Sequence, residues 1–202
     1  MSGREAVERP RASIRVRAAL AVGLVLGLGA GLTVASWTDA SFVAGAFTAS
    51  RFSLETNPNG AGYSSSSTVS ASVAGVFPGA GGAVYLPFSV RTASDSVGGT
   101  LSLSAAANPA AGLPTVLRYR IVRGASACTA AGFSSGSYVA GDAATTRAMS
   151  ASLPSTAAGS LAAGGASPLS YCIEFSIPSG TAATGIAGTS GTLTLTLTGT
   201  SS

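Results

Sequence analysis

From Thr192 to Thr198 the chain reads Thr-Leu-Thr-Leu-Thr-Leu-Thr, a strict period of two that suits an extended strand with one apolar and one polar face. A helix would scatter Leu193, Leu195 and Leu197 around its axis, whereas a strand aligns them. The same period recurs in six other segments, separated by Gly, Pro, Asn and Ser. Phe47 to Glu55 sets Phe52 and Leu54 on one face and is expected to end in the turn Asn57-Pro-Asn-Gly60. Thr68 to Val76 places Val69, Ala71 and Val73 against serines. Ala83 to Arg91 turns Val84, Leu86, Phe88 and Val90 inward, with Pro87 demoting part of it to a sheet edge or bulge. Leu101 and Leu103 are the inward pair of Thr100 to Ser104. In Val116 to Arg123, Leu117, Tyr119 and Ile121 oppose Arg118 and Arg120. Tyr171 to Ile177 sets Tyr171, Ile173, Phe175 and Ile177 against Cys172, Glu174 and Ser176.

Strands this numerous, each with one apolar face, bury those faces only by closing on one another, so the expected fold is all-β, a Greek-key or jelly-roll-like β-sandwich. Between Thr129 and Pro168 the chain is mostly Ala, Gly, Ser and Thr, with brief apolar spots at Tyr138-Val139 and Met149. A structureless loop of that length is uncommon in a compact domain, so at least one further strand is expected there.

The first 36 residues obey a different rule. A charged stretch, residues 1–17, carries five of the chain's eleven arginines, and an uncharged run rich in Ala, Leu, Val and Gly fills residues 18–35. This order, ending in Val34-Ala35-Ser36, is that of a secretory signal helix, with cleavage expected at Ala35 or Ser36. The rival is a retained membrane anchor, because the uncharged run, continued to Thr38, reaches the roughly 20 residues that span a bilayer. Residues 37–46 then form an N-terminal segment, and 47–202 the sandwich domain. Beyond Ser36 six arginines face five acids, so the alkaline pI belongs mostly to the leader and gives no support to a nucleic-acid partner. Contact with a membrane is expected only through the uncleaved leader.

The chain contains no histidine, which excludes Ser-His-Asp and Cys-His catalysis and removes the commonest zinc ligand. Asp39, Glu55, Asp95, Asp142 and Glu174 are scattered, and no D-x-D-x-D-G loop is present to hold calcium. The expectation is no enzyme, no metal and no cofactor. Cys128 and Cys172 suffice for one bridge, the expected state in an exported protein. It would close a loop of about 45 residues, a constraint of roughly 4 kcal/mol in the chain-entropy model. The alternative, a redox thiol pair, lacks C-x-x-C spacing or a close basic group. Arg118, Arg120 and Arg123 admit an anion-binding patch or a solvated strand face set opposite Glu174. Trp37 and Phe42 are large apolar side chains near a new N-terminus, where they call for a surface to pack on.

The junction Val34-Ala-Ser-Trp-Thr-Asp-Ala-Ser-Phe-Val-Ala-Gly-Ala-Phe-Thr-Ala-Ser-Arg-Phe-Ser-Leu-Glu55 resembles the signature of the TasA/camelysin family with its SipW-type signal peptides. Trp37 and Asp39 match its aromatic-x-Asp step, and Phe47, Phe52 and Leu54 its following Phe-x-x-x-x-Phe-x-Leu pattern. Val84 to Arg91, Val97 to Leu103 and Tyr171-Cys172 are similar to actinobacterial members. The resemblance implies a signal peptidase of the SipW type as partner, an extracellular jelly-roll domain, and a structural role as a fibre or accessory subunit of a biofilm matrix. It also implies assembly by strand addition, with Trp37, Phe42 and Phe47 as anchors on a neighbouring subunit. Proteolytic activity described for the camelysin branch does not transfer, because the chain lacks H-E-x-x-H. The competing expectation is a monomeric secreted adhesin or carbohydrate-binding module that uses the Arg118 and Arg120 face or the loops of 129–168.

Overall fold

A computed structural model describes residues 51–108, 111–182, 186 and 189–202. They form an all-β unit of two antiparallel sheets that share one core. The larger sheet has the order β2-β1-β4-β10-β6-β7, made of β1 (Leu54–Pro58), β2 (Ser64–Ser65), β4 (Val84–Thr92), β6 (Arg118–Arg123), β7 (Ser137–Ala140) and β10 (Leu169–Ser176). A short β8 (Arg147–Ala148) also pairs with β6. The smaller sheet has the order β3-β11-β5-β9, made of β3 (Thr68–Val73), β5 (Gly99–Ala105), β9 (Leu153–Leu161) and β11 (Gly191–Ser201).

The alternation seen in the sequence is what packs the sheets. Val69, Ala71 and Val73 of β3, Leu101 and Leu103 of β5, and Leu193, Leu195 and Leu197 of β11 meet Phe88, Val90, Tyr119, Ile121, Tyr171, Ile173 and Phe175 from the larger sheet. Phe88 and Tyr171, register partners on β4 and β10, stack with ring centroids 4.8 Å apart. One end of the core is closed by Leu113, Leu117 and Met149. Leu113 sits on a single helical turn, Leu113–Val116, that Pro114 helps to start. Between Thr129 and Pro168 lie β7, β8 and β9, so the expectation of a hidden strand there holds.

Two details differ from the sequence reading. The first strand does not end at Glu55: it runs to Pro58 because β4 offers it partners from Thr92 to Phe88. The turn is therefore confined to Asn59-Gly60, both with positive φ, the residue pair best suited to that conformation. Pro87 sits inside β4 between two neighbours, not on an outer strand. Its carbonyl accepts from Asn59 N–H at 3.0 Å, so its missing N–H faces the end of β1, where only the reciprocal bond to Asn59 is forfeited and the pairing with β10 is left intact.

Candidate functional site

Cys128 and Cys172 form a disulfide with Cα atoms 5.3 Å apart. Cys172 points away from the main core, so the bridge draws the loop after β6 over the outward face of the larger sheet. A short helical turn in that loop, Ala130–Phe133, delivers Phe133 onto Val122 and Cys172, and these three residues form a second buried cluster, flanked by Tyr85, Ala125, Cys128 and Tyr138. Phe133 lies 5.7 Å from Tyr85 and 6.2 Å from Tyr138 between ring centroids. The cluster has only a faint mark in the sequence. The signal available was Ile121-Val122, two adjacent apolar residues that break the alternation of β6.

Beside the cluster, Arg120 and Glu174 are register partners, as the solvated-face reading proposed. The face is not solvated, however: only 19% of the arginine side chain and 7% of the carboxylate side chain are exposed. Arg120 Nη2 donates to both Glu174 oxygens at 2.7 Å, Nε donates to Oε1 at 3.2 Å, and Nη1 donates to the carbonyls of Asp142 and Ala143 at 3.3 and 3.0 Å. Burial opposes the charge on Arg120, yet its hydrogen bonds and charge pairing with Glu174 win and hold its pKa above the ordinary value. Tyr85 Oη donates to Glu174 Oε2 at 3.4 Å, and burial, then Glu174, pushes its pKa up. Asp142 is held below the usual carboxylate range by backbone N–H groups of Ala144 and Thr145, with Arg120 assisting.

The three arginines therefore form no common anion patch. Arg123 has inward parity and spans to the other sheet, where Nη1 donates to the Ala158 carbonyl at 2.8 Å, the same oxygen that receives Tyr171 Oη at 3.1 Å. Gly159, at a φ of +148° that other residues rarely adopt, leaves room there for the Arg123 guanidinium, which a Cβ would displace. Among the described residues, Arg118 Nη1 and Tyr119 Oη are buried side-chain atoms without a hydrogen-bond partner.

Ala35, Ser36, Trp37, Phe42 and Phe47 lie outside the described residues. The chain enters the description at Arg51, fixed against the loop after β4: Val97 N–H donates to the Arg51 carbonyl at 3.0 Å, and Ser96 Oγ accepts from Ser53 N–H at 2.7 Å. Next to this entry β11 outruns its neighbour. β3 pairs with β11 only from Gly191 to Thr196, and Leu197 N–H reaches the Ser67 carbonyl at 2.8 Å. Thr198 to Ser201 have β5 on one side and no strand on the other among the described residues. A groove of about 600 Å³ opens there, lined by Phe52, Leu54, Ser65, Ser67, Leu197 and Gly199 among others.

Among the described residues no group of three or more metal-ligating side chains occurs, and no helix is long and apolar enough to cross a membrane. Compared with protein-family models, curated proteins and solved structures, the chain has no match.

Proposed function

We propose that the protein is an exported structural subunit of the cell surface or extracellular matrix, without catalytic activity. In this reading a signal peptidase of the SipW type cuts at Ala35 or Ser36, and the freed segment 37–46 joins a neighbouring subunit by strand addition, with Trp37, Phe42 and Phe47 as anchors. The observation that carries it is the half-vacant edge of β11. Leu197 N–H points toward β3, so by alternation Gly199 and Ser201 present their backbone groups to the same open side. A visiting strand would complete a row that β3 leaves unfinished, and Phe52, Leu54 and Leu197 would receive its apolar side chains. Donor and acceptor are different surfaces of the same chain, so the contact is heterologous and repeats head to tail, as a fibre requires.

The jelly-roll assignment belongs to the same proposal. Its support is the pair of strand orders β4-β10-β6-β7 and β3-β11-β5-β9, in which the chain changes sheet at almost every connection. Deleting residues 37–46 should abolish heat-sensitive oligomer ladders, and a synthetic peptide of residues 37–50 should compete for assembly of the intact protein. Ladders that persist in the deletion would end the proposal. Intact mass of the secreted form reports the cleavage site in the same sample.

A further inference from the structure

Between the turn after β1 and the loop after β6, the outward face of the larger sheet holds a cleft of about 290 Å³. Its floor follows the register row Asn57, Ser89, Ser170, with Pro87 and the disulfide beyond. Asn59 and Gly60 rise on one side and Ala125 on the other. None of the residues lining it carries a charge.

Both walls are held in place before any ligand arrives. Asn57 Oδ1 accepts from Gly62 N–H at 2.9 Å, which orients the amide and leaves its nitrogen as a donor. Ser89 Oγ is hydrogen-bonded to Tyr63 Oη at 2.9 Å, and the Tyr63 ring is packed under the Arg91 guanidinium, 3.9 Å from its centroid. Arg91 is in turn fixed by Glu55 at 2.8 Å, so the charges behind Tyr63 cancel locally. On the other wall the disulfide anchors Cys128 to Cys172, and Gly124 N–H donates to the Ser170 carbonyl at 2.9 Å. A surface fixed in this way loses little conformational entropy on binding.

We propose that this cleft binds one neutral sugar residue, the terminal or branch unit of a glycan. The volume is at the small end for ligand pockets, which run from about 300 to 1,000 Å³, and suits a single ring. An ionic ligand would give up hydration with no counter-charge to receive it. A flat apolar ligand would strand the Asn57 amide nitrogen, the Asn59 amide and the Ser170 hydroxyl. A sugar meets these groups with neighbouring hydroxyls that both donate and accept, and lays its carbon face on Pro87.

The test is titration of the full chain with glucose, galactose, mannose, arabinose and N-acetylglucosamine, followed by amide chemical shifts. Saturable shifts confined to residues 57–62, 87–89, 124–128 and 170–172 are expected with at least one of these sugars. Ser170→Tyr, which fills the cleft from an exposed strand position, should weaken binding by at least about tenfold. Thr194→Lys on the other sheet should not. Absence of saturable binding to all five, undiminished binding by S170Y, or tighter binding of glucuronate than of its neutral counterpart would each overturn the assignment. The proposal is independent of strand addition: S170Y retains residues 37–46 and the β11 groove, so its oligomer ladder reports on assembly separately.

Discussion

The outward face of the smaller sheet is a field of hydroxyls: Thr192, Thr194 and Thr196 on β11 are paired in register with Ser72, Ser70 and Thr68, and Thr196, Thr198 and Thr200 with Ser104, Ser102 and Thr100. None of its four strands carries a charged residue. The larger sheet, built on the same alternation, carries charge on β1, β4, β6, β8 and β10 and covers part of its outward face with a disulfide-tied loop. One sheet needs a single apolar face, whereas the other buries side chains on both. The difference separates what holds the fold, the core between the sheets, from what is built on top of it.

If the outer cluster is an addition held by its staple, removing the staple should loosen that region first. Cys128→Ala with Cys172→Ala is expected to cost about 4 kcal/mol of global stability by the chain-entropy relation. Because that constraint acts on the unfolded chain, Leu193 to Leu197 should lose protection by no more than this amount, whereas Gly124 to Tyr138 should lose nearly all of theirs through local opening. Protection from Gly124 to Tyr138 that still matches that of β11 would show that the two regions are one cooperative unit.

The ion pair sharpens the same contrast. Glu174→Ala leaves the Arg120 guanidinium largely buried without its carboxylate, a change that costs roughly 3 kcal/mol for buried pairs. Arg120→Met with Glu174→Leu should recover most of that loss, because removing both charges also removes their desolvation penalty. Denaturant midpoints of the three variants decide it, and a double variant no better than the single one would mean that the pair is needed for the loop above it to pack.

Much of this was legible in the residues, and the part that was not has a physical reason. Alternation fixed the inward sets of β3, β4, β5, β6, β10 and β11, because a strand with one wet face must separate polar from apolar residues. The outward position of Cys172 was readable too, as was Arg120 opposite Glu174. The covering loop was not: Ala, Gly and Ser dominate 124–136, and Phe133 is a lone aromatic whose burial depends on where a distant cysteine pulls it. The half-vacant edge of β11 was equally hidden, since a register offset between β3 and β11 leaves no mark in composition.

A smaller effect probes the shared core. Tyr119 is wholly buried and its hydroxyl has no partner among the described residues, so Tyr119→Phe should be neutral or stabilising by up to about 1 kcal/mol. Burial pushes the Tyr119 and Tyr171 phenols up from their ordinary value, in both cases against a nearby arginine. The unfolded chain releases these protons near pH 10 while the folded chain keeps them, so their contribution is present below about pH 10 and is lost as pH rises above it. Tyr119→Phe should therefore flatten part of the alkaline fall in stability, read from urea midpoints at about pH 9 and about pH 11.

The smallest expected effect lies on the hydroxyl face, and its smallness is the point. Ser72 Oγ and Thr192 Oγ1 are hydrogen-bonded at 2.9 Å, but Thr194 and Thr196 are exposed and form no side-chain hydrogen bond among the described residues. Thr194→Ala and Thr196→Ala should each change stability by no more than about 0.5 kcal/mol, the ordinary range for a surface position. Losing a β-branched side chain from a strand accounts for what change there is. A loss above about 1 kcal/mol, measured on dilute protein, would show that the hydroxyl rows act as a cooperative network and that the smaller sheet, like the larger, depends on both of its faces.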